Sequence, residues 1–423
     1  MENSTHNSHP APRTPYPASR TSHLAPRTSH PAPRTPHPAT RTPHPAPRTP
    51  HLAPRTSHPE PRPPHPATRI LIAAGGTGGH IIPALSIAHE LQKNGVEVLF
   101  VGNKNSMEQT LATNSSLKFK GISVQKFYRN FTFAHIKFPF KLLKSINDSK
   151  KIIKEFQPDA FLGTGGFVSG PVGYAAHLKK VPIFLQEQNS FPGATTRILS
   201  KYAEKIFLGT KGAEKYLPKE KLVFSGNPIN LNAIEEKGKI DFEKYGLKEN
   251  SRKIFILGGS QGSVILNKAF LPIVDEILEK EYEIIWQIGK YSFEEIYGKI
   301  KEKKGIYAFD FSNEIGKIYN SIDFAIARAG ALTLAELETK KIPSILVPLP
   351  SAAGNHQYFN ALELVDKKVA ILLEQKKLTS ASLLEAILKM KDEHKKMKEG
   401  FEDSKHIEAA RIICNFIVRK ITK

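Results

Sequence analysis

The sequence predicts an α/β protein whose two parallel-sheet domains face one another across a cleft. Three observations carry this: three glycine-rich turns that each follow a short apolar run, a strand–turn–helix alternation that begins twice, and a polar stretch between the two beginnings. The turns are RILIAAGGTGGH (69–80), DAFLGTGGFVSG (159–170) and KIFILGGSQGS (253–263). A buried parallel strand that ends in glycines and feeds a helix leaves backbone N–H groups unpaired at the positive end of the helix dipole, where an anionic phosphate binds. Three such turns point to a nucleotide enzyme.

Before the first strand, a heptapeptide rich in Pro, Arg and His repeats from His9. Proline removes donors and fixes φ, and almost nothing here can build a core, so residues 1–68 are expected to be a disordered arm. Through Arg69 it holds nine arginines and two acids, a charge of +7 out of the chain's +21, so the folded part is basic as well. By charge alone the expected partners are nucleotide, phospholipid surface or nucleic acid. The single cysteine, Cys414, excludes an internal disulfide and suits a reducing compartment. No run of 18 apolar residues marks a membrane span, and no secretion signal is visible, so a cytoplasmic location is expected.

From Ile70 the alternation starts. Pro83 is expected in the first turn of a helix whose apolar stripe is Leu85, Ala88 and Leu91; Gly95 ends it, and VEVLFVG (96–102) begins the next strand. Further strands are expected at 159–163, 181–186, 205–208 and 221–225. The polar stretch 226–251 contains the hinge, near Asn227–Ile240. A second series opens at Lys253 and continues with EIIWQIG, IYAFDF, DFAIARAG and IPSILVP. Two Rossmann-like domains follow, at 69–230 and 231–405, with the ligand at the carboxyl ends of their strands.

No turn matches G-x-G-x-x-G or the P-loop pattern, which argues against a dinucleotide cofactor or P-loop phosphoryl transfer. No cluster has metal-ligand spacing, so no metal is expected. His80 closes the first glycine turn at a helix start, where the dipole favours the neutral imidazole; it reads as a base or substrate orienter, or as a capping residue. In RAGALTLAEL (328–337) the first N–H groups face a diphosphate, and Glu336, one turn inside, either binds ribose hydroxyls or is an exposed helical acid. Asn355, His356 and Gln357 sit where a long loop enters a helix and suit sugar hydroxyls. Between Phe127 and Ser145, Phe131, Phe133, Phe138 and Phe140 alternate with Lys137 and Lys141, a pattern for an anionic bilayer surface or a core helix, with Pro139 expected to interrupt the helix.

Together GGTGGH (75–80), GTGGFVSGP (163–171), QEQNSFPG (186–193), SGNPI (225–229), LGGSQGS (257–263), RAGALTLAEL (328–337) and HQYFNA (356–361) resemble the MurG family of glycosyltransferases, over about residues 69–423. The resemblance implies a GT-B fold with a C-terminal helix, 406–423, packed back on the first domain. It implies inverting transfer of N-acetylglucosamine from UDP-N-acetylglucosamine to undecaprenyl-diphospho-N-acetylmuramyl-pentapeptide, lipid I, giving lipid II in peptidoglycan synthesis. The setting is the cytoplasmic face of the inner membrane, peripherally bound, with no cofactor and no nucleic-acid partner. His80 becomes the candidate base. Thr77, Gly78, Gly79, Asn189, Ser260, Ala331, Leu332, Thr333, Glu336 and Gln357 become donor contacts, and Gly165 and Gly166 the acceptor's phosphate loop. Two positions depart from the family pattern: Asn230 stands for an arginine and Asn355 for an aspartate. The same fold also serves diacylglycerol glycosyltransferases and UDP-N-acetylglucosamine epimerases, and the basic arm alone would suit nucleic acid.

Overall fold

The computed structural model describes residues 68–125, 134–259 and 261–422. The expected disordered arm, apart from Thr68, lies outside them.

The first half alternates regularly. It runs β1 (Arg69–Ala73), α1 (Gly78–Lys93), β2 (Glu97–Asn103), α2 (Met107–Asn114), β3 (Lys118–Ile122), α3 (Ala134–Phe156) and β4 (Ala160–Gly163). It continues with α4 (Gly166–Leu178), β5 (Ile183–Glu187), α5 (Ala194–Leu199), β6 (Lys205–Leu208) and β7 (Leu222–Phe224). All seven strands are parallel, in the order β3-β2-β1-β4-β5-β6-β7. The apolar runs of the five central strands are buried on both faces, as helices on both sides of a parallel sheet demand. β3 was not expected from the sequence. As an edge strand it turns Lys118 and Lys120 outward, and the resulting KFKGI alternation lacks the continuous apolar signal of its neighbours.

After the short helix α6 (Leu231–Ile234) the second series begins with β8 (Arg252–Leu257), α7 (Val264–Phe270), α8 (Val274–Glu279), β9 (Tyr282–Gln287), α9 (Phe293–Ile300) and β10 (Ile306–Phe309). It goes on through α10 (Ile315–Tyr319), β11 (Phe324–Ala327), α11 (Ala331–Thr339), β12 (Ser344–Leu346), α12 (His356–Asp366), β13 (Ala370–Leu372) and α13 (Ser380–Glu399). This sheet is also parallel, ordered β10-β9-β8-β11-β12-β13. The last helix, α14 (Ala409–Ile421), returns to the first domain, where Ile413, Cys414 and Ile417 join the α1 core residues Ile81, Ala84, Ala88 and Leu91.

Two expectations about proline need correction. α1 begins at Gly78, so Pro83 lies inside the helix instead of in its first turn; the carbonyl it leaves without a helical donor belongs to Gly79, which is exposed. Helix α3 runs through Pro139 without a break. The hinge is also narrower than the polar stretch, since Ile229, Ile234 and Ile240 already pack in the second core. The outgoing and returning chains touch at Gly226, whose φ is 80° and where a Cβ would lie 2.8 Å from the carbonyl carbon of Lys405. There the Asn227 N–H donates to His406 Nδ1 at 2.8 Å, which places the imidazole proton on Nε2, facing Glu338 Oε2 at 3.2 Å.

Candidate active site

Each sheet reverses its winding once, between β1 and β4 and between β8 and β11. Those switch points open a crevice at the carboxyl ends of the strands. The four segments that follow these strands are the three glycine turns and the RAGAL segment, so one topological rule collects them.

In the first domain the two glycine turns pack backbone to backbone. A Cβ on Gly166 would stand 1.8 Å from the Gly75 carbonyl oxygen, so no larger residue fits. Thr77 caps α1 without a side-chain hydrogen bond, leaving the N–H groups of Gly78 and Gly79 available. The buried carboxylate of Glu108 accepts from Gly76 N at 3.0 Å and fixes the turn. Gly165, at φ 103°, lets the His80 ring lie on the second turn: its Cβ would be 2.5 Å from His80 Cδ2. The ring's Nδ1 is 3.3 Å from Thr77 Oγ1. Burial lowers the His80 pKa below its ordinary value; Glu187 pulls it up, His356 pushes it down and a hydrogen bond to the Gly75 backbone raises it. The imidazole is therefore neutral at pH 7 and able to accept a proton.

Glu187, 2% exposed, accepts from the N–H of Asn189, its Nδ2 and the N–H of Gly193, all at 3.1 Å. It thereby shapes the 188–193 loop that meets the second domain. There Asn360 Nδ2 donates to Asn189 Oδ1 at 3.2 Å and Asn360 Oδ1 accepts from Ser190 N at 2.8 Å. Phe191 and Phe359 stack beside this pair at 5.7 Å.

On the opposite wall, Ser260 lies outside the described residues. Ser263 caps α7 and receives Arg328 Nε and Nη2 at 3.1 and 2.7 Å, while Nη1 donates to the carbonyls of Val347 and Pro348. Arg328 is 7% exposed and pairs with no acid among the described residues; burial brings its pKa down to about 10, so it stays cationic. Gly330 caps α11 without a side-chain bond, which leaves the N–H groups of Ala331, Leu332 and Thr333 toward the crevice; the Leu332 side chain itself is buried. Glu336 is half-buried and accepts from Tyr319 Oη at 2.9 Å; burial raises its pKa to about 7 against the pull of that bond. Gln357 uses Oε1 to accept from Leu349 N at 2.9 Å, so its amide nitrogen is its remaining donor. Asn355 caps α12 at φ 55°, a left-handed conformation that asparagine tolerates. Asn230 is exposed.

Both domains match known families: residues 70–208 the N-terminal domain and residues 253–414 the C-terminal domain of glycosyltransferase family 28. A curated relative from Bacillus pumilus, UDP-N-acetylglucosamine–N-acetylmuramyl-(pentapeptide) pyrophosphoryl-undecaprenol N-acetylglucosamine transferase, is 35% identical over 84% of this chain and 99% of its own length. The chain belongs to the MurG family. Among solved structures, MurG of Acinetobacter baumannii superposes with a TM-score of 0.67 at 27% identity, over 84% of this chain and 100% of that one. A UDP-GlcNAc 2-epimerase of Neisseria meningitidis, at 15% identity and a TM-score of 0.59 over 83% of this chain and 100% of its own, shares the GT-B fold alone. Four of the seven family motifs thus follow the strands at the two switch points. Glu187, Arg328 and Tyr319 were not singled out in the sequence; the first two lie inside the motifs, but their burial without a cation or an acid is visible only in three dimensions.

Of the aromatic–basic stretch, Phe131 and Phe133 lie outside the described residues, as does the side chain of Lys137. Phe138 is half-buried, Phe140 is 74% exposed and Lys141 is exposed. Helix α4 packs against α3 and α5, and exposed Tyr174, Leu178 and Ile198 on these helices, with Tyr202 in the turn after α5, accompany exposed Arg197 and Lys201. No helix among the described residues is long and apolar enough to cross a membrane.

Proposed function

We infer that this chain moves N-acetylglucosamine from UDP-N-acetylglucosamine to the C4 hydroxyl of undecaprenyl-diphospho-N-acetylmuramyl-pentapeptide. The observation that carries the reading is the relationship, across nearly the full length of a relative named for this reaction, of a chain in which four of the matching motifs follow the strands of both switch points.

In the proposed step the muramyl hydroxyl loses its proton to His80 as its oxygen bonds to the anomeric carbon, and the sugar–phosphate bond breaks with its electron pair on UDP. Attack opposite the leaving group inverts α to β. Charge growing on the diphosphate meets the first N–H groups of α11 and the cation of Arg328, which offsets the missing arginine at position 230. Donors already oriented toward that charge favour the transition state over the ground state, and losing one costs about 3–4 kcal/mol. Glu336 takes the ribose hydroxyls, Gln357 and Asn189 border the donor sugar, and Gly165 and Gly166 present the α4 N-terminus to the acceptor's phosphates. No resident cofactor or metal and no nucleic-acid partner is assigned. The apolar and basic face of α3, α4 and α5 supports peripheral binding to an anionic inner membrane from the cytoplasmic side.

Incubating the full chain with both substrates and determining the product's linkage tests the reading. The expected result is one UDP released per acceptor glycosylated, with a β bond at C4. UDP release without acceptor, or an α product, overturns it.

A further inference from the structure

Two glutamates two residues apart on α11 are treated in opposite ways. Glu338 is paired with His406 and Lys367; burial works to raise its pKa, but these partners win and hold it at about 2. Glu336 receives a single hydrogen bond, from Tyr319, and no cation pairs with it among the described residues. A half-buried carboxylate with most of its lone pairs unused is costly unless a ligand's donors complete it. The one donor it has comes from a fixed group. Tyr319, 3% exposed, ends α10, and its ring packs edge-on against Phe255 of β8, with centroids 6.0 Å apart at 70°. Among the described residues Glu336 is the one hydrogen-bond partner of this buried hydroxyl.

We propose that Tyr319 is a positioning residue of the nucleotide site: its hydroxyl, bonded to Glu336 Oε2, sets the carboxylate so that Oε1 faces the two ribose hydroxyls of the donor. The inference rests on the ribose role of Glu336. It makes Tyr319 a determinant of the preference for a ribonucleotide, although it touches no part of the ligand. Among the described residues, no ion pair reaches Glu336, and burial and the Tyr319 bond are what shift its pKa. Because that bond holds the carboxyl down, removing it moves the protonation midpoint upward from about 7.

The test measures binding of UDP and of 2′-deoxy-UDP by calorimetry to the full chain and to Tyr319→Phe, Glu336→Ala and the double variant, from pH 6 to pH 9. Tyr319→Phe is expected to weaken UDP by about tenfold or more, as loss of a hydrogen bond to a charged group does. It should weaken 2′-deoxy-UDP less, because only the 3′-hydroxyl is left to lose its partner, and move the pH midpoint of UDP binding upward. In the Glu336→Ala background it should add nothing. If Tyr319→Phe weakens both nucleotides equally, or adds its full effect to Glu336→Ala, the positioning role is wrong. If Glu336→Ala itself leaves UDP binding intact, the ribose reading of Glu336 fails first, and the two failures are told apart.

Discussion

Replacing Gly165 with alanine asks whether the placement of His80 sets the rate. Gly165 has φ 103° and ψ −173°, a backbone region essentially reserved for glycine, so the substitution costs stability, about 1–3 kcal/mol. The new methyl would also stand 2.5 Å from His80 Cδ2 and 3.1 Å from Nε2. Carbon atoms rest about 3.5–4 Å apart, so the ring must retreat by about 1 Å. A misplacement of that size costs about a hundredfold in rate. The expectation is therefore a kcat about a hundredfold lower with donor KM within about twofold, read by steady-state kinetics with UDP release coupled to a detector. Gly95→Ala supplies the control, because Gly95 has φ 76° but nothing within 4 Å of its Cβ. It should lower Tm and leave kcat alone. If Gly165→Ala loses stability but keeps the parent kcat, the ring's position does not govern the chemistry and His80 is not the base.

The other expectations are shorter. His80→Ala should lower kcat by about 10²–10⁴ with little change in donor KM, and the parent's kcat should fall along an acid limb centred below pH 6.5, the direction set by burial. Glu187→Gln, by removing a charge that supports the imidazolium, should move that limb further down in a pH–rate profile. Glu338→Gln should destabilise the fold by about 2–3 kcal/mol at pH 7 in urea unfolding. A carboxyl held at about 2 contributes stability above its usual range and loses it as pH falls from 4.5 toward 2, so the difference should shrink across that window. Phe140→Ser combined with Ile198→Ser should reduce partition onto anionic vesicles without changing turnover of a soluble acceptor analogue; unchanged sedimentation with vesicles would remove the membrane role of this face.

The central strands could be read from the chain because parallel strands buried on both faces show as unbroken apolar runs; β6 coincides with the expected 205–208. Of the four edge strands, β7 and β10 were also expected, at 221–225 and in IYAFDF, whereas β3 and β13 were not. β3 alternates lysine with apolar residues, and β13 is three residues long. Pro83 misled because the glycine turn hands its chain to the helix at Gly78, five residues earlier than proline preference suggests. Within the site, His80 was legible since it adjoins a turn that announces itself. Arg328 and Tyr319 were not, because their meaning comes from Ser263, 65 residues away, and from Glu336, 17 residues away. Sequence spacing carries no sign of either contact.

Helix α14 fills the groove beside α1 with Ile413, Cys414 and Ile417. On the ribosome it is made after every other element described, so the domain translated first waits, with apolar surface bare, until translation has passed through the second. Its maturation is thereby tied to the second domain's completion, and truncation before Ala409 should leave an aggregation-prone species instead of an isolated, foldable half.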